Sequence, residues 1–333
     1  MTTDIIEEQE TTRAPASGLR VLYNTSLSLQ KLRIGIDNRV SALEKGFDKA
    51  DESVPPVYAR ISELANKMEG EIDGAIADEL ERSWPVYTDW LCHVRGIGPS
   101  LSGAMLSLLL PPLADRGPST WYKAAGLYVE QHEDGTSRIP RPHKGGGKVT
   151  YHIGLRVLLY NVATSFVRLG GYYREAYDRR KERLFALHMP TAWAVRQRYQ
   201  NSPPGTRLDA LNKEFGTEKV GDVILANLKR TMSANDRKKV SVEKMHEAVL
   251  AGRVPWQMGH MDAVALVGQD DPDWPLFRVD SVARWSMIKL FLAHLYEKML
   301  ECDGLGSGRR AYVIEQLGHG YIPPPEWDGE HLI

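Results

Sequence analysis

Cysteine is almost absent: Cys92 and Cys302 stand alone in 333 residues, with no CxxC pair and no metal-ligand spacing. That excludes a disulfide scaffold and a cysteine-based zinc site, and it makes a reducing, cytoplasmic setting the expectation. Neither charge sign is in surplus, since 42 Lys and Arg face 43 Asp and Glu. Net charge therefore excludes a chain-wide polyanion binder, and any nucleic-acid surface must come from local clustering. Long apolar runs are missing too. The longest, Leu101 to Leu113, is interrupted by Ser102, Gly103, Ser107 and two prolines, and is too broken to span a bilayer. The first residues, MTTDIIEEQETTRAPASG, are acidic and polar where a signal peptide is basic and then apolar, so no membrane partner is expected. No alternating strand pattern runs beyond a few residues, which points to a mainly α fold.

What is present supports a real core. Hydrophobic residues make up 42% and charged residues 26%, the balance of a soluble globular chain long enough for one large or two ordinary domains. Residues 1–17 have little to bury and are expected to form a disordered tail. Leu22, Leu29, Ile36 and Leu43 recur every seven residues, with Leu32 and Val40 beside them, which predicts an amphipathic helix of about seven turns. Glu52-Ser53-Val54-Pro55-Pro56 breaks it. A second stripe follows through Val57, Ile61, Leu64, Met68, Ile72, Ile76 and Leu80, until Pro85 ends or kinks that helix. Residues 18–84 thus read as a helical hairpin or coiled coil, able to close on itself or to pair with a second copy as a homo-oligomer. Residues 1–90 hold 10 basic and 17 acidic side chains, a poor surface for nucleic acid.

The charge then reverses. Between Arg138 and Arg183 eleven Lys or Arg face three acids. The segment opens on a basic Gly/Pro loop from Arg138 to Lys148. It continues as a helix with an apolar period through Leu155, Leu158, Leu159, Val162, Phe166 and Leu169, which Gly170-Gly171 separates from another beginning near Tyr172. Tyr172, Tyr173 and Tyr177 interleave with arginines; the tyrosines suit packing and the arginines suit phosphate. Residues 188–280 read as helices of unknown role, with Thr217 to Leu250 forming two helices around Ser233-Ala234-Asn235-Asp236. The remainder, 281–333, reads as a helix from about Val282 to Leu300 and a Gly/Pro tail.

The strongest local pattern is Leu91-Cys-His-Val-Arg-Gly96-Ile-Gly98-Pro99-Ser-Leu-Ser-Gly-Ala-Met-Leu106, an apolar helix end, a Gly-x-Gly turn and a second apolar helix. Glycines allow a positive-φ turn and close approach of a ligand, and Pro99 suits the first turn of a helix whose N-terminal N–H groups attract anions. Gly103 and Ala104 let helices pack closely. This is the layout of a helix-hairpin-helix, with residues 85–187 as its domain. Backbone contacts to duplex DNA are expected from Arg95, Gly96, Gly98 and Ser100, joined by Arg138, Arg141, Lys144, Lys148, Arg156, Arg174, Arg179 and Arg180.

Arg95-Gly-Ile-Gly-Pro99, then Trp121-Tyr-Lys-Ala-Ala-Gly-Leu127, then Leu155-Arg156 and Tyr173-Arg174-Glu-Ala-Tyr177 occur in the order of one known domain. Over residues 85–185 the chain resembles the C-terminal domain of Piv-like, DEDD-type insertion-sequence transposases and DNA invertases. The resemblance implies DNA binding, recombination chemistry with Mg2+ where the enzyme is active, and a guide RNA as a further partner. Its departures are specific. The family's RuvC-like half, which supplies four acidic metal ligands, has no counterpart in the two helices of residues 18–90. The catalytic serine that the resemblance would set before a glycine is replaced by Asp134-Gly135, with Ser137 displaced. Asp134 and Ser137 are the candidate catalytic residues if the chain is a recombinase or nuclease. Other ligand sets, His132-Glu133-Asp134 and His260 with Asp262 and His294, lack a complete spacing. A structural or interaction protein is the third class.

Overall fold

The structure, a computed structural model, describes residues 17–44, 54–131, 137–140, 149–306 and 320–327. It is mainly helical, and the described chain divides into two compact units, residues up to 175 with those from 287 onward, and residues 176–286. Both boundaries fall inside helices. Residues 1–16 of the expected tail lie outside the described residues.

In the first unit α1 (Ser17–Glu44) and α2 (Val54–Ser83) run antiparallel. The pairing shows it: Arg33 Nε donates to Glu69 at 3.0 Å while Ser62 Oγ donates to Asp37 at 2.6 Å, so one number rises as the other falls. Pro55 and Pro56 open α2, since the N–H groups of a first turn have no intrahelical acceptor in any case. Pro85 ends it and begins α3 (Pro85–Asp89), which leads through a 3₁₀ turn, Leu91–His93, into α4 (Pro99–Leu108). The two stripes are only partly used. Leu19, Ile36, Ala65, Ile76 and Leu80 are buried, but Leu32, Val57, Ile61, Leu64 and Met68 are exposed. The hairpin packs on α4 through Leu19 and Ile76, both in contact distance of Gly103, and farther along it is joined by the polar pairs above.

The small residues expected to permit close packing do so at Gly103: a Cβ there would lie 2.6 Å from Ile76 Cγ2. The apolar run from Leu101 feeds α4, whose Ser102 to Ser107 are all buried. Next come α5 (Ser119–Ala124), a two-residue antiparallel ladder of β1 (Glu130–Gln131) with β2 (Ser137–Arg138), and α6 (Ile153–Leu169). Ala125-Gly126-Leu127 closes α5: Leu127 N donates to Tyr122 O and Gly126 N to Lys123 O, the Schellman pattern, with Gly126 at φ +67. Gly126 also lies so close to the Tyr151 ring that a Cβ would meet it at 2.6 Å. His152 begins α6 by accepting the Leu155 N–H at Nδ1, 2.9 Å away. Gly170 and Gly171, at φ +84 and +90, separate α6 from α7 (Tyr172–His188), as the sequence pattern requires.

The last helix among the described residues, α14 (Leu276–Cys302), starts six residues before the expected Val282. From Met287 on it is buried around most of its circumference, not along one stripe, which marks a central core helix. Phe291 stacks on Trp90 and meets Phe166 and Tyr173 edge-on, and Tyr296 does the same to Trp121. No helix among the described residues is long and apolar enough to cross a membrane.

The second unit takes the rest of α7, α8 (Pro190–Asn201), α9 (Arg207–Phe215), α10 (Thr217–Thr231), α11 (Ala234–Lys239), α12 (Val242–Leu250), α13 (His260–Val267) and the start of α14. Thr217 to Leu250 is three helices instead of two, because Ser233 and Ser241 each cap a new start by accepting the N–H three residues on. Three carboxylates organise the unit. Asp262, 2% exposed, accepts from Asn227, Arg230 and the Gly259 N–H. Glu182 accepts from Arg196, Gln197 and His260. Asp280 accepts from Tyr177, Lys181 and Arg284; burial opposes its charge, but those donors hold it down at about 2.

Candidate nucleic-acid interface

The Gly-x-Gly turn is built by two backbone hydrogen bonds, Ile97 N to Val94 O and Ser102 N to Gly98 O. The element before it, where the pattern implied an apolar helix end, is a short helix and a 3₁₀ turn. The two glycines have different tasks. Gly96 is at φ +98, with Phe166 3.2 Å and Ser165 3.3 Å from where a Cβ would be, and Ser165 Oγ donates to its carbonyl at 2.6 Å. It is spent on holding the turn to α6. Gly98 has an ordinary φ of −102, begins α4, is exposed, and has nothing within 4 Å of a built Cβ.

Pro99 has no N–H, so the amides of Ser100 and Leu101 are those directed out of the end of α4. The Ser100 hydroxyl donates to Asp73 at 2.7 Å, which engages it inside the fold. Arg95 is exposed at the tip of the turn, and its Cβ, Cγ and Cδ run past Gly171 at 3.2–3.8 Å from where a Cβ would be. Gly171, at φ +90, leaves that side chain room that a Cβ would narrow.

The remaining expected contacts divide in three. Arg156 donates to Pro140 O and lies over the Tyr151 ring, and Arg174 donates to Val167 O, so both guanidiniums bind their own fold. Arg179 and Arg180 are exposed on α7, in the second unit. Asp134, Arg141, Lys144 and Lys148 lie outside the described residues, and of Ser137 and Arg138 only the backbone, in β2, is described. His132 and Glu133 are also outside. Tyr173 and Tyr177 are core, each 2% exposed.

Of the other ligand set, His260 Nε2 donates to Glu182 at 2.9 Å and Asp262 ties α13 to α10, both in the second unit, and His294 is buried in the first. Among the described residues no group of three or more His, Cys, Asp or Glu is placed to hold a metal ion. His294 Nε2 donates to Ile322 O at 3.0 Å, so its Nδ1 accepts from Tyr173 Oη at 2.9 Å, and burial lowers its pKa to about 4.

No protein-family model matches the chain, and no curated protein or solved structure matches it either. The function therefore rests on these residues and their surroundings.

One feature escaped the sequence. The Gly/Pro tail is docked: Pro324 and Pro325 are buried, Trp90 Nε1 donates to Pro325 O at 2.8 Å, and Trp327 stacks on His93 at 4.1 Å. The signal for it was present in three prolines flanked by Tyr321 and Trp327, a segment with little backbone freedom to lose on ordering.

Proposed function

We propose that the chain binds the backbone of double-stranded DNA without reading base sequence, through the Arg95–Gly98 turn and the first amides of α4. The observation that carries this is the open ground at Gly98: an exposed backbone, nothing within 4 Å of a built Cβ, directly at the end of a ten-residue helix and three residues from an exposed arginine. A phosphate fits that chemistry, because oriented N–H groups, the helix-end potential and a guanidinium all favour an anion and none distinguishes bases. Asp73 takes the Ser100 hydroxyl, so Arg95 and the amides, not Ser100, bear the contact in this proposal. The resemblance of residues 85–185 to transposase C-terminal domains points the same way.

The test is Gly98→Val. Its φ and its surroundings accept a side chain, so the helix content should persist while affinity for unrelated duplexes falls by a similar factor. Full affinity in a folded variant would remove the turn from the interface.

The hairpin supports an assembly role beside binding. Val57, Ile61, Leu64 and Met68 follow steps of four, three and four on α2, and are 57%, 37%, 53% and 50% exposed. Such spacing is the seam of a coiled coil, and a second copy of the hairpin supplies the same seam.

A further inference from the structure

The docked segment at residues 321–327 defines a site of its own. It is neither helix nor strand through Glu326, and proline has no N–H with which to join a sheet. Three successive prolines hold the chain near polyproline II geometry, which repeats every three residues. The carbonyls of Ile322 and Pro325 are one such repeat apart. They are met by two donors, His294 Nε2 at 3.0 Å and Trp90 Nε1 at 2.8 Å.

Both donors are fixed in place. Trp90 is 2% exposed with its ring stacked on Phe291, and His294 is 1% exposed with its other nitrogen engaged by Tyr173. The flanks are read as well: Tyr321 Oη donates to Glu297 at 2.5 Å, and the Trp327 ring lies flat on His93, 9° from parallel. Indole and imidazole donors aimed at proline-segment carbonyls, with the His93 ring as an aromatic face at one flank, match the way polyproline segments are bound by aromatic-lined grooves.

We propose that the surface formed by Trp90, His93, His294 and Glu297 is a polyproline-recognition groove, closed by the chain's own residues 321–327 and able to take the same segment from a second copy. The contacts are all made by residues 321–327, so the same segment on another copy offers identical chemistry. Thirteen residues, 307–319, join it to the preceding described residue. A tethered segment competes intramolecularly, so the chain's own segment outcompetes a free copy until it is weakened.

The experiment uses a fluorescent peptide of residues 320–327 and the full chain carrying Pro324→Gly, Pro325→Gly and Trp327→Ala, with binding followed by anisotropy. The expected result is saturable binding to that variant, binding to the wild-type chain at least about tenfold weaker because its groove is filled, and loss of binding when the peptide itself lacks Pro324 and Pro325. Adding Trp90→Phe should weaken the peptide by about fivefold to tenfold, the contribution of one buried hydrogen bond. Should the triple variant misfold, a protease site placed between Gly306 and Gly320 and cut after folding gives the same groove for the same titration. Absence of peptide binding to a folded, opened chain, or equal binding of the proline-free peptide, overturns the proposal. Two differently tagged full-length chains, unfolded together and refolded, should then co-purify through exchanged segments; this is done with Leu64→Glu and Met68→Glu present, so that the hairpin seam does not contribute. Failure of exchange after successful peptide binding refutes the second copy as the occupant.

Discussion

Replacing Gly103 by alanine tests the packing that sets α4, and with it the turn, on the hairpin. A Cβ at this position would sit 2.6 Å from Ile76 Cγ2 and 3.3 Å from Leu19 Cδ1. Neither neighbour yields easily: Ile76 is fully buried, Leu19 is 1% exposed, and the γ-methyl of a β-branched side chain moves only with its χ1 rotamer. Overpacking of this kind costs about 1–3 kcal/mol, while alanine's helix preference over glycine returns about 1 kcal/mol. Gly103→Ala is therefore expected to destabilise by up to roughly 2 kcal/mol. Gly74→Ala is the control, since Gly74 is exposed in α2 with nothing within 4 Å of a built Cβ, and should stabilise by about 0.5–1 kcal/mol. Urea unfolding followed by helix content and by tryptophan fluorescence measures both. Combining Gly103→Ala with Ile76→Ala should cost less than the sum of the single changes, because the methyl that clashes is gone. Equal stability of Gly103→Ala and Gly74→Ala would refute the close packing of α4 on the hairpin.

Further outcomes follow from other sites. His294 is neutral in the fold at a pKa of about 4 against an ordinary 6.5, so its contribution is complete above pH 6.5 and is lost as pH falls toward 4; the loss approaches about 3 kcal/mol and should vanish in His294→Gln when unfolding is measured across that window. Asp280 is likewise held below its ordinary value, in a lower window: its contribution holds above about pH 4 and is lost toward pH 2, and Asp280→Asn should remove that part of the acid transition. Leu64→Glu with Met68→Glu should convert an associated chain to monomer in light scattering without loss of helix content; an unchanged mass would clear the α2 seam of any assembly role. Gly96→Ala, at φ +98 and against Phe166, should lower stability by more than about 1 kcal/mol, whereas Gly98→Ala should change it by under about 1 kcal/mol.

The helical fold was legible wherever one face of a helix was apolar at a regular step. α1, α2, α6 and the Gly170-Gly171 break follow directly from spacing and from glycine chemistry. α14 was foreshortened because the expected stripe began at Val282, whereas the helix extends to Leu276 and is buried on most sides from Met287. The extra helix at Ala234–Lys239 was hidden because it buries nothing; its start is written only in the Ser233 cap. At the candidate interface the sequence could mark residue types but not their engagements. Arg156 and Arg174 look like phosphate ligands until the carbonyls of Pro140 and Val167 are seen to take them, and Ser100 until Asp73 does. Such pairings join positions 7 to 27 residues apart, through side chains that an apolar period does not report. The exposed seam of Val57 to Met68 is the converse: the stripe is plain in the sequence, and only the fold shows that the partner helix leaves it uncovered.

The most direct measurement is the affinity of the purified chain for a labelled DNA duplex over a salt series, alongside Arg95→Gln. With a net charge of −1, any salt-sensitive affinity must come from local cations such as Arg95. Binding should weaken log-linearly with salt, be insensitive to duplex sequence, and lose on the order of 0.9 in slope when Arg95 is neutralised. No binding at low salt, or a slope that Arg95→Gln leaves unchanged, would contradict DNA contact at this turn.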